Sequence, residues 1–205
     1  MFNAAGIILA GGDSSRMNGA DKALLVIDSQ PMLEANVKLL QGCLREVIVV
    51  TNGRQLYDFN NVKVITDEQP GCGPLMGLYS GLKDSCCNLN FVTACDMPFI
   101  NLNILALLLD AARQYDVVVP IINGFPEPLM AIYHKRILPW VRKCLDQNRR
   151  QMVAFYNKVK VCEIPEEQIR RADPDLKSFV NINTPRDLDR ARRMIQPDNL
   201  NAHAG

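Results

Sequence analysis

The chain has 205 residues, of which 48% are hydrophobic and 22% are charged, and its formal net charge at pH 7 is +1. This composition is typical of a globular protein with a substantial core and excludes a chain that is disordered throughout. A net charge near zero disfavours a strongly basic nucleic-acid-binding protein, so no nucleic acid partner is expected. All apolar runs are shorter than the roughly 18 residues that a membrane-spanning helix needs, so no membrane partner is expected either.

The charges are distributed unevenly along the chain. Residues 1–134 contain 8 Lys and Arg against 13 Asp and Glu, whereas residues 135–193 contain 15 against 8. Two interpretations stay open for this asymmetry. The cations could lie on solvated helix faces, or the C-terminal third could meet an anionic ligand.

The cysteine pattern indicates a reducing compartment. The seven cysteines are odd in number, include the adjacent pair Cys86 and Cys87, and form no C-x-x-C motif. This pattern disfavours both a disulfide framework and a tetrahedral metal site. The first residues also lack the basic region of a secretory signal, so we expect a cytoplasmic protein.

Short β-rich runs alternate with helical patterns through the first 120 residues. Runs of apolar and β-branched residues predict five strands, at residues 6–10, 46–51, 62–66, 90–95 and 116–120. Helices are predicted between them, at residues 31–40, 75–83 and 102–113. Strands that are apolar throughout and separated by helices predict a mostly parallel sheet with helices on both faces.

The pattern changes after the fifth predicted strand. The elements expected there are a strand that could be antiparallel, a helix and a further strand, at residues 129–133, 137–145 and 158–164. Met152, Phe155 and Tyr156 indicate an apolar helix stripe in the core. Thr184 is a good N-cap for a last helix with Pro185 in its first turn.

These elements predict a single-domain, three-layer, Rossmann-like α/β fold with an antiparallel addition in its C-terminal half. The domain is expected over residues 1–195, in two halves that meet near residue 120, and the polar residues 196–205 are expected to be disordered. Sheets of this kind bind ligands beyond the carboxyl ends of their strands.

A glycine-rich loop follows the first strand and reads LAGGDSSRMNGADK over residues 9–22. Gly11 and Gly12 let backbone N–H groups converge on an anion, and Arg16 and Lys22 add two positive charges. Together these are the groups needed to hold a triphosphate. The loop is not G-x-G-x-x-G, which disfavours a nicotinamide dehydrogenase, and it is not the phosphate-binding motif G-x-x-x-x-G-K-[ST] either. A purely structural turn could use the two glycines alone, but it would not need the two cations.

The loop resembles the signature of nucleotidyltransferases related to molybdenum cofactor guanylyltransferases. Three further segments agree with this family: Asp67 with GCGPLMG at 71–77, CDMPF at 95–99, and FVNINTP at 179–185. The resemblance covers residues 6 to about 195. One departure is Asn18, where the family commonly has Gly, but the spacing from Arg16 to Lys22 is kept.

The resemblance implies a nucleotidyltransferase fold with a nucleotide-binding first half, residues 1–120, and an acceptor-binding second half, residues 121–195. The nucleotide-binding residues that it implies are Leu9, Ala10, Gly11, Gly12, Lys22, Asp67 and Asp96. Backbone contacts to the guanine nucleotide are implied for the first three, and phosphate contacts for Lys22. Arg16, Lys22 and Asp96 would be the catalytic residues.

Asp96 is also the implied ligand of a divalent metal, Mg²⁺ or alternatively Mn²⁺. A carboxylate at the carboxyl end of a strand suits Mg²⁺, which prefers one or two carboxylates together with phosphate oxygens. The residues alone leave plainer roles open, because Asp96 could cap a following helix and Asp67 could belong to a turn.

The implied reaction is guanylyl transfer from GTP to the terminal phosphate of molybdopterin, with pyrophosphate as the leaving group. The attacking phosphate oxygen is already ionised at pH 7, so no general base is needed. This agrees with a chain whose two histidines, His134 and His203, both lie outside the motifs. Alignment and charge neutralisation would then carry catalysis.

The acceptor candidates lie in the second half of the chain: Arg149, Arg150, Asn181 and Asn183, with Glu127, Pro128 and Leu129 lining the cleft. The two asparagines flank one residue at a period of two, so both amides face the same side of an extended segment. Amides suit a pterin edge, which alternates donors and acceptors. The arginines could instead be surface charges, and the asparagines could tie the loop to the backbone.

Two other functions stay open. The first is a related nucleotidyltransferase that uses CTP or another acceptor phosphate, because no motif decides the base. The second is a non-catalytic, nucleotide-binding regulator. Transient contact with other molybdenum cofactor proteins is compatible with an enzyme.

Overall fold

The computed structural model describes residues 1–11, 24–27, 29–52, 59–69 and 71–195. The strands in this part of the chain are β1 (Phe2–Ala10), β2 (Val26–Ile27), β3 (Gln30–Pro31), β4 (Leu44–Thr51), β5 (Lys63–Thr66), β6 (Leu89–Ala94), β7 (Val117–Ile122), β8 (Phe125–Pro126), β9 (Met130–His134) and β10 (Val161–Ile164). The α-helices are α1 (Met32–Gln41), α2 (Pro74–Asp84), α3 (Leu102–Ala111), α4 (Leu138–Asp146), α5 (Glu166–Ala172) and α6 (Pro185–Ile195). The predicted tail, residues 196–205, lies outside the described residues.

One main sheet runs through both halves of the chain in the order β10-β7-β9-β6-β1-β4-β5, with β8 paired to β7. Strand β1 pairs in parallel with β4 and β6, β4 pairs in parallel with β5, and β10 pairs in parallel with β7. Strand β9 is antiparallel to both of its neighbours, β6 and β7. The sheet is therefore mostly parallel with an antiparallel addition, as predicted.

Helices cover both faces of the sheet, because residues of β1 alternate between two cores. Ile8 and Ala10 belong to the core that α1, α3 and α5 cover, whereas Ile7 and Leu9 belong to the core under α2 and α4. Side chains alternate between faces along a strand, so a strand with an apolar side chain at every position is buried on both faces. This arrangement confirms the predicted three-layer α/β fold.

The elements agree with the sequence predictions except for the short strands β2 and β3, which were not predicted, and for parts of the C-terminal half. Residues 152–155 form turns that lead into a 3₁₀ turn at Tyr156–Lys158, so the predicted helix stripe is wrong. Its core assignment is nevertheless right, because Met152 and Phe155 are buried. Helix α5 and the hairpin of β7 and β8 were not predicted.

That hairpin has a clear sequence signal. Asn123 and Gly124 connect its strands with φ of 52° and 81°. Two positive φ values in succession suit Asn-Gly, which is the commonest pair in tight hairpin turns. The turn places residues 123–129 at the carboxyl edge of the sheet, where β7 ends and β9 begins.

Helix α6 begins as predicted. The Thr184 hydroxyl accepts a hydrogen bond from the backbone N of Asp187 (3.2 Å), and the Asp187 carboxylate accepts one from the backbone N of Thr184 (2.8 Å). This reciprocal pair is a capping box in which Asp replaces the usual Glu. No helix in the described part of the chain is both long and apolar enough to cross a membrane.

The close packing of α2 on β1 gives a testable prediction. A Cβ on Gly81 would lie 2.6 Å from Cγ2 of Ile7, a fully buried side chain. Gly81→Ala should therefore destabilise the protein by about 1–3 kcal/mol through overpacking, although Ala normally stabilises a helix relative to Gly by about 1 kcal/mol. Urea unfolding measures the change.

Gly42→Ala is the matched control, since Gly42 has φ of −67° and the nearest atom to its Cβ would be 3.4 Å away. A Gly81→Ala variant as stable as the wild type would show that α2 can move away from β1 at no cost.

Candidate active site

The carboxyl ends of four parallel strands meet at one edge of the sheet. Ala10 of β1 lies opposite Thr51 of β4, which lies opposite Thr66 of β5, and Leu9 lies opposite Ala94 of β6. The residues that follow these strand ends therefore emerge side by side. They include Gly11, Asn52, Asp67 and Asp96.

The end of β1 forms the centre of this edge. Leu9 and Ala10 are buried, and the Leu9 carbonyl accepts a hydrogen bond from the backbone N of Cys95 (3.0 Å). Gly11 is exposed and lies against Asn52, where a Cβ would be 3.5 Å from the Asn52 backbone N. The structure thus brings the predicted Leu9, Ala10 and Gly11 to the expected edge. Gly12, Arg16 and Lys22 lie outside the described residues.

Asp67 is held in place through its backbone, while its carboxylate has no partner in the described part of the chain. Its N–H donates to the Thr51 carbonyl at 2.9 Å. The Oδ1 atom is buried without a hydrogen bond, and burial raises the pKa of Asp67 from 3.8 to about 6. A turn residue would use its side chain to bond nearby backbone. The free carboxylate therefore favours a ligand contact over the turn interpretation.

Helix α2 accounts for the burial of this carboxylate. A Cβ on Gly77 would lie 3.5 Å from Oδ1 of Asp67 and 3.0 Å from Cδ2 of Leu9. The carboxylate therefore stands between the helix and the end of β1, on the α2 face of the sheet. It is desolvated because the helix passes so close to the strand.

Asp96 follows β6 at the same edge and is half-buried. Its carbonyl accepts a hydrogen bond from the backbone N of Ile182 at 2.9 Å. It does not cap the following helix, because the N-cap of α3 is Asn101, whose Oδ1 accepts from the backbone N of Asn103 (2.8 Å). The alternative of a capping role for Asp96 is therefore excluded.

The residues at this edge fit a magnesium ion. Mg²⁺ is commonly held by one or two carboxylates and completes its shell with waters and substrate phosphates. Asp96 supplies such a carboxylate beside the end of β1. Asp67 supplies a second carboxylate on the α2 face. Its Oδ1 is buried, so this oxygen is better placed to accept a hydrogen bond from a ligand than to coordinate a hydrated ion.

The loop before α2 contributes backbone groups to the same edge. Gly71 and Gly73 have φ of 83° and 79°, and a Cβ at either position would meet no described atom within 4 Å. Helix α2 then begins at Pro74, so its first-turn N–H groups and its positive dipole end lie at this edge. The thiol of Cys72 lies 3.8 Å from Oε1 of Gln69.

Arg150 connects this loop to the second half of the chain. Its Nη1 donates to the Gly71 carbonyl at 3.2 Å, and its Nε donates to Oδ1 of Asn148 at 3.0 Å. Arg149 donates to the Ala154 carbonyl at 2.7 Å. Both arginines are exposed, and both bond to uncharged oxygens, so neither positive charge is neutralised by these contacts.

The segment with the two candidate asparagines lies beside Asp96. Ile182 is fully buried and donates to the Asp96 carbonyl, whereas Asn181 is exposed and Asn183 is half-buried. The backbone N of Asn183 donates to the Asp187 carboxylate at 3.1 Å. The structure therefore brings Asn181 and Asn183 to the predicted metal ligand.

Residues 6–161 match the family model described as the MobA-like NTP transferase domain. The chain belongs to this family.

Curated relatives resemble it over nearly their whole length. The molybdenum cofactor guanylyltransferase of Desulfosudis oleivorans is 35% identical over 93% of this chain and 95% of its own. The probable molybdenum cofactor guanylyltransferase of Carboxydothermus hydrogenoformans is 37% identical over 95% of this chain and 98% of its own. The predicted family and the predicted nucleotidyltransferase class are thus confirmed.

A solved structure supports the same assignment. The crystal structure of molybdopterin-guanine dinucleotide biosynthesis protein A from Archaeoglobus fulgidus superposes with a TM-score of 0.78. The two chains are 25% identical, and the match covers 93% of this MobA-like chain and 97% of the other. This match confirms the predicted nucleotidyltransferase fold.

One feature of this MobA-like site has no signal in the cleft-lining motif itself. Glu127, predicted only to line the cleft, is a half-buried carboxylate whose pKa is raised by burial alone. The Asn-Gly turn before it is the signal that could have placed it at this edge.

The burial of Asp67 predicts a trade-off between function and stability. Its pKa is about 6 in the folded chain and near 3.8 in an unfolded one, so ionisation of Asp67 favours unfolding. Protonation of Asp67 stabilises the folded state relative to the ionised form. This contribution to the free energy of unfolding is fully present below pH 3.8 and is lost as the pH rises through 6. Asp67→Asn should therefore raise the Tm at pH 7.5 and have little effect near pH 4.

Since the group is only partly buried, solvent screening limits the expected rise to roughly 2–4 °C, or about 1 kcal/mol. Thermal unfolding at both pH values measures it, with Asp110→Asn on the exposed face of α3 as the control. A rise of the same size at both pH values would contradict the assigned pKa.

Proposed function

We propose that this protein transfers GMP from GTP to the terminal phosphate of molybdopterin and releases pyrophosphate, so that the guanine dinucleotide cofactor forms. The observation that carries the proposal is the pair of carboxylates, Asp67 and Asp96, on either side of the β1 strand end. Relatives that carry this name match the chain over nearly its full length.

The Asp67 carboxylate, which has no partner among the described residues, supports the choice of guanine as the base of the nucleotide. A desolvated carboxylate accepts hydrogen bonds and is best satisfied by two adjacent donors. Guanine offers such a pair in its ring N–H and its exocyclic amino group, whereas cytosine lacks a ring N–H beside its amino group. Leu9, Ala10 and Gly11 add backbone contacts to the same nucleotide, and Gly12 would continue them.

The metal would be Mg²⁺, or alternatively Mn²⁺, with Asp96 as its protein ligand. When bound, the ion supplies positive charge to the phosphates of the nucleotide. Asp96 also fixes the segment of Asn181–Asn183 through its backbone carbonyl, so the residue that holds the metal would position the acceptor segment as well.

The chemical step needs alignment more than proton transfer. A terminal phosphate oxygen of the acceptor attacks the α-phosphorus of GTP, and the bond from that phosphorus to the bridging oxygen of the β-phosphate breaks. Arg16 and Lys22 would stabilise the charge that grows on the α-phosphate and on the departing pyrophosphate. No proton is transferred, because the attacking oxygen is already ionised.

The acceptor would bind to the second half of the chain. Arg150 bonds the Gly71 carbonyl at the active-site edge, Arg149 precedes it in the chain, and both would attract the anionic acceptor. Asn181 and Asn183 would bond its polar groups. We also propose that residues 1–120 bind the nucleotide and residues 121–195 the acceptor, in the cytoplasm, with transient contacts to other molybdenum cofactor proteins.

The decisive experiment incubates the protein with molybdopterin, Mg²⁺ and labelled GTP, CTP, ATP or UTP in parallel. The guanine dinucleotide should form from GTP alone, with one pyrophosphate released for each product. Product from CTP would favour the cytidylyltransferase alternative. Binding of GTP without pyrophosphate release, even with molybdopterin present, would favour the regulator.

Replacing either the metal ligand or the predicted phosphate contact should lower turnover with little effect on the fold. Asp96→Asn and Lys22→Ala should each reduce kcat by about 10²–10³-fold, because each removes charge stabilisation at the phosphates. Steady-state pyrophosphate release measures kcat, and the Tm measures stability. Asp110→Asn and Lys143→Ala serve as controls on exposed helix positions. Wild-type turnover of Lys22→Ala at saturating metal would overturn its assignment.

The two exposed arginines should control acceptor binding. Arg149→Gln with Arg150→Gln should raise the KM for molybdopterin about tenfold and reduce its salt dependence, with the KM for GTP unchanged. The adjacent pair Arg170 and Arg171 is a matched control, because each forms a salt bridge with a glutamate one helix turn earlier. If the double variant binds the acceptor as tightly as the wild type does, the excess positive charge of this region has no role in acceptor binding.

A further inference from the structure

Glu127 lies at the active-site edge, on the acceptor side of Asp96. Its N–H donates to the Pro120 carbonyl at 2.9 Å, and its carbonyl accepts from the backbone N of Met130 at 3.1 Å. Met130 lies opposite Thr93, three residues before Asp96. Glu127 and Asp96 therefore extend past the same end of two neighbouring strands, β9 and β6, which are about 5 Å apart.

The carboxylate of Glu127 has no partner in the described part of the chain. It is half-buried and makes neither a hydrogen bond nor an ion pair with any described residue, and desolvation alone raises its pKa. An unpaired carboxylate that is partly removed from water is costly. The buried carboxylate of Asp173, by contrast, has partners, because it accepts hydrogen bonds from the backbone N atoms of Lys177 and Ser178.

An exposed aromatic ring accompanies this carboxylate. Phe125 is 72% exposed although it is a large apolar residue. Phe125 pairs with Ile122, Pro126 pairs with Ile121, and the bond from Glu127 to Pro120 continues the same ladder. Residues two apart along a strand point to the same side, so Phe125 and Glu127 share one face. A flat ring stacked on Phe125 would present its edge to Glu127.

Glu127 is the counterpart of Asp67 on the other side of the site. Both carboxylates lack partners among the described residues, and the sheet order places β9 and β5 on opposite sides of β1 and β6. The two substrates of the proposed reaction also share one recognition edge. Guanine and pterin both contain a 2-amino-4-oxopyrimidine ring, whose ring N–H and amino group form an adjacent donor pair.

We propose that the Glu127 carboxylate recognises the pterin of the acceptor by accepting hydrogen bonds from its ring N–H and its 2-amino group, with Phe125 against the face of the ring. This inference rests on the proposed function. Each half of the site then has one carboxylate that binds a 2-amino-4-oxopyrimidine ring. Asp67 binds the ring of the nucleotide, and Glu127 binds the ring of the acceptor. Two parallel N–H to carboxylate bonds give this contact its specificity.

The test uses two stable probes, 6-hydroxymethylpterin and its 2-oxo analogue 6-hydroxymethyllumazine, which lacks the amino donor. Fluorescence titration of the full-length protein measures both affinities, and a second titration measures GTP. The wild type should bind the pterin at least about tenfold more tightly than the lumazine. Glu127→Gln should lose about tenfold in pterin affinity and the preference between probes, with GTP affinity unchanged.

Three variants give a matched comparison. Glu163→Gln changes an exposed carboxylate on β10 and should leave both affinities unchanged. Asp67→Asn should weaken GTP binding and leave pterin binding unchanged, the reverse of Glu127→Gln. Phe125→Ala should weaken both pteridine probes alike, because stacking does not read the amino group. Thermal unfolding confirms that each variant is folded, and Glu127→Ala replaces Glu127→Gln if that variant is not.

Several outcomes would overturn the inference: no pterin binding by the wild type, no preference between the probes, or a Glu127→Gln variant that keeps the preference. Weaker Mn²⁺ binding by Glu127→Gln, measured in the presence of GTP, would instead make Glu127 a metal ligand. Failure of the proposed function is distinguishable, since it appears as absence of the guanine dinucleotide while Glu127-dependent pterin binding persists.

Discussion

Helix α2 lies so close to strand β1 that side chains at two of its positions would press on the strand. A Cβ at Gly81 would collide with Ile7, and one at Gly77 would press on Leu9. This approach removes water from the Asp67 carboxylate and brings the Gly71–Gly73 loop and the positive end of α2 to the end of β1. Because a bulky side chain at either glycine would move the helix, the geometry of the proposed nucleotide site depends on the absence of side chains at Gly77 and Gly81.

The reversed strand β9 brings the second half of the chain to the same edge. A strand that ran parallel to β6 would begin at the opposite edge, so the turn with Glu127 would lie far from Asp96. Because β9 runs the other way, the preceding turn lies at the active-site edge. Helix α4 then returns toward that edge, and Arg150 after it reaches the Gly71 carbonyl. One reversal thus places both halves of the chain around the ends of β1 and β6.

Much of the fold could be predicted because strands buried on both faces carry an unmistakable pattern. Every position from Ile7 to Ala10 is apolar, and β-branched residues occupy residues 47–51 of β4 and every position of β7 except Pro120. A helix was wrongly predicted at residues 152–156 because the buried residues there have helical spacing. Tertiary packing instead holds them in turns. Spacing reports which residues are buried, but it cannot always report the backbone conformation that buries them.

Motifs indicate candidate residues at this edge of the sheet, but no motif indicates the electrostatics around them. Motifs point to Asp67 and Asp96 as candidates. The lack of partners for the Asp67 and Glu127 carboxylates among the described residues depends on every neighbour in space, so it has no local sequence signature. A carboxylate without a partner among the described residues is a better indicator of a ligand site than a paired one, because a paired carboxylate already has a structural role in the fold.

The same reasoning sharpens the uneven charge of the chain. Most exposed cations of the C-terminal third that the structure pairs, such as Arg170 and Arg171, face carboxylates one helix turn away, and such surface pairs contribute little to stability. Arg149 and Arg150 differ because they bond to carbonyl and amide oxygens, which hold a guanidinium in place without cancelling its charge. A fixed cation of this kind has lost conformational freedom but kept its field. The net positive charge of this region is therefore less informative than the placement of Arg150 at the Gly71 loop, with Arg149 next to it in the chain.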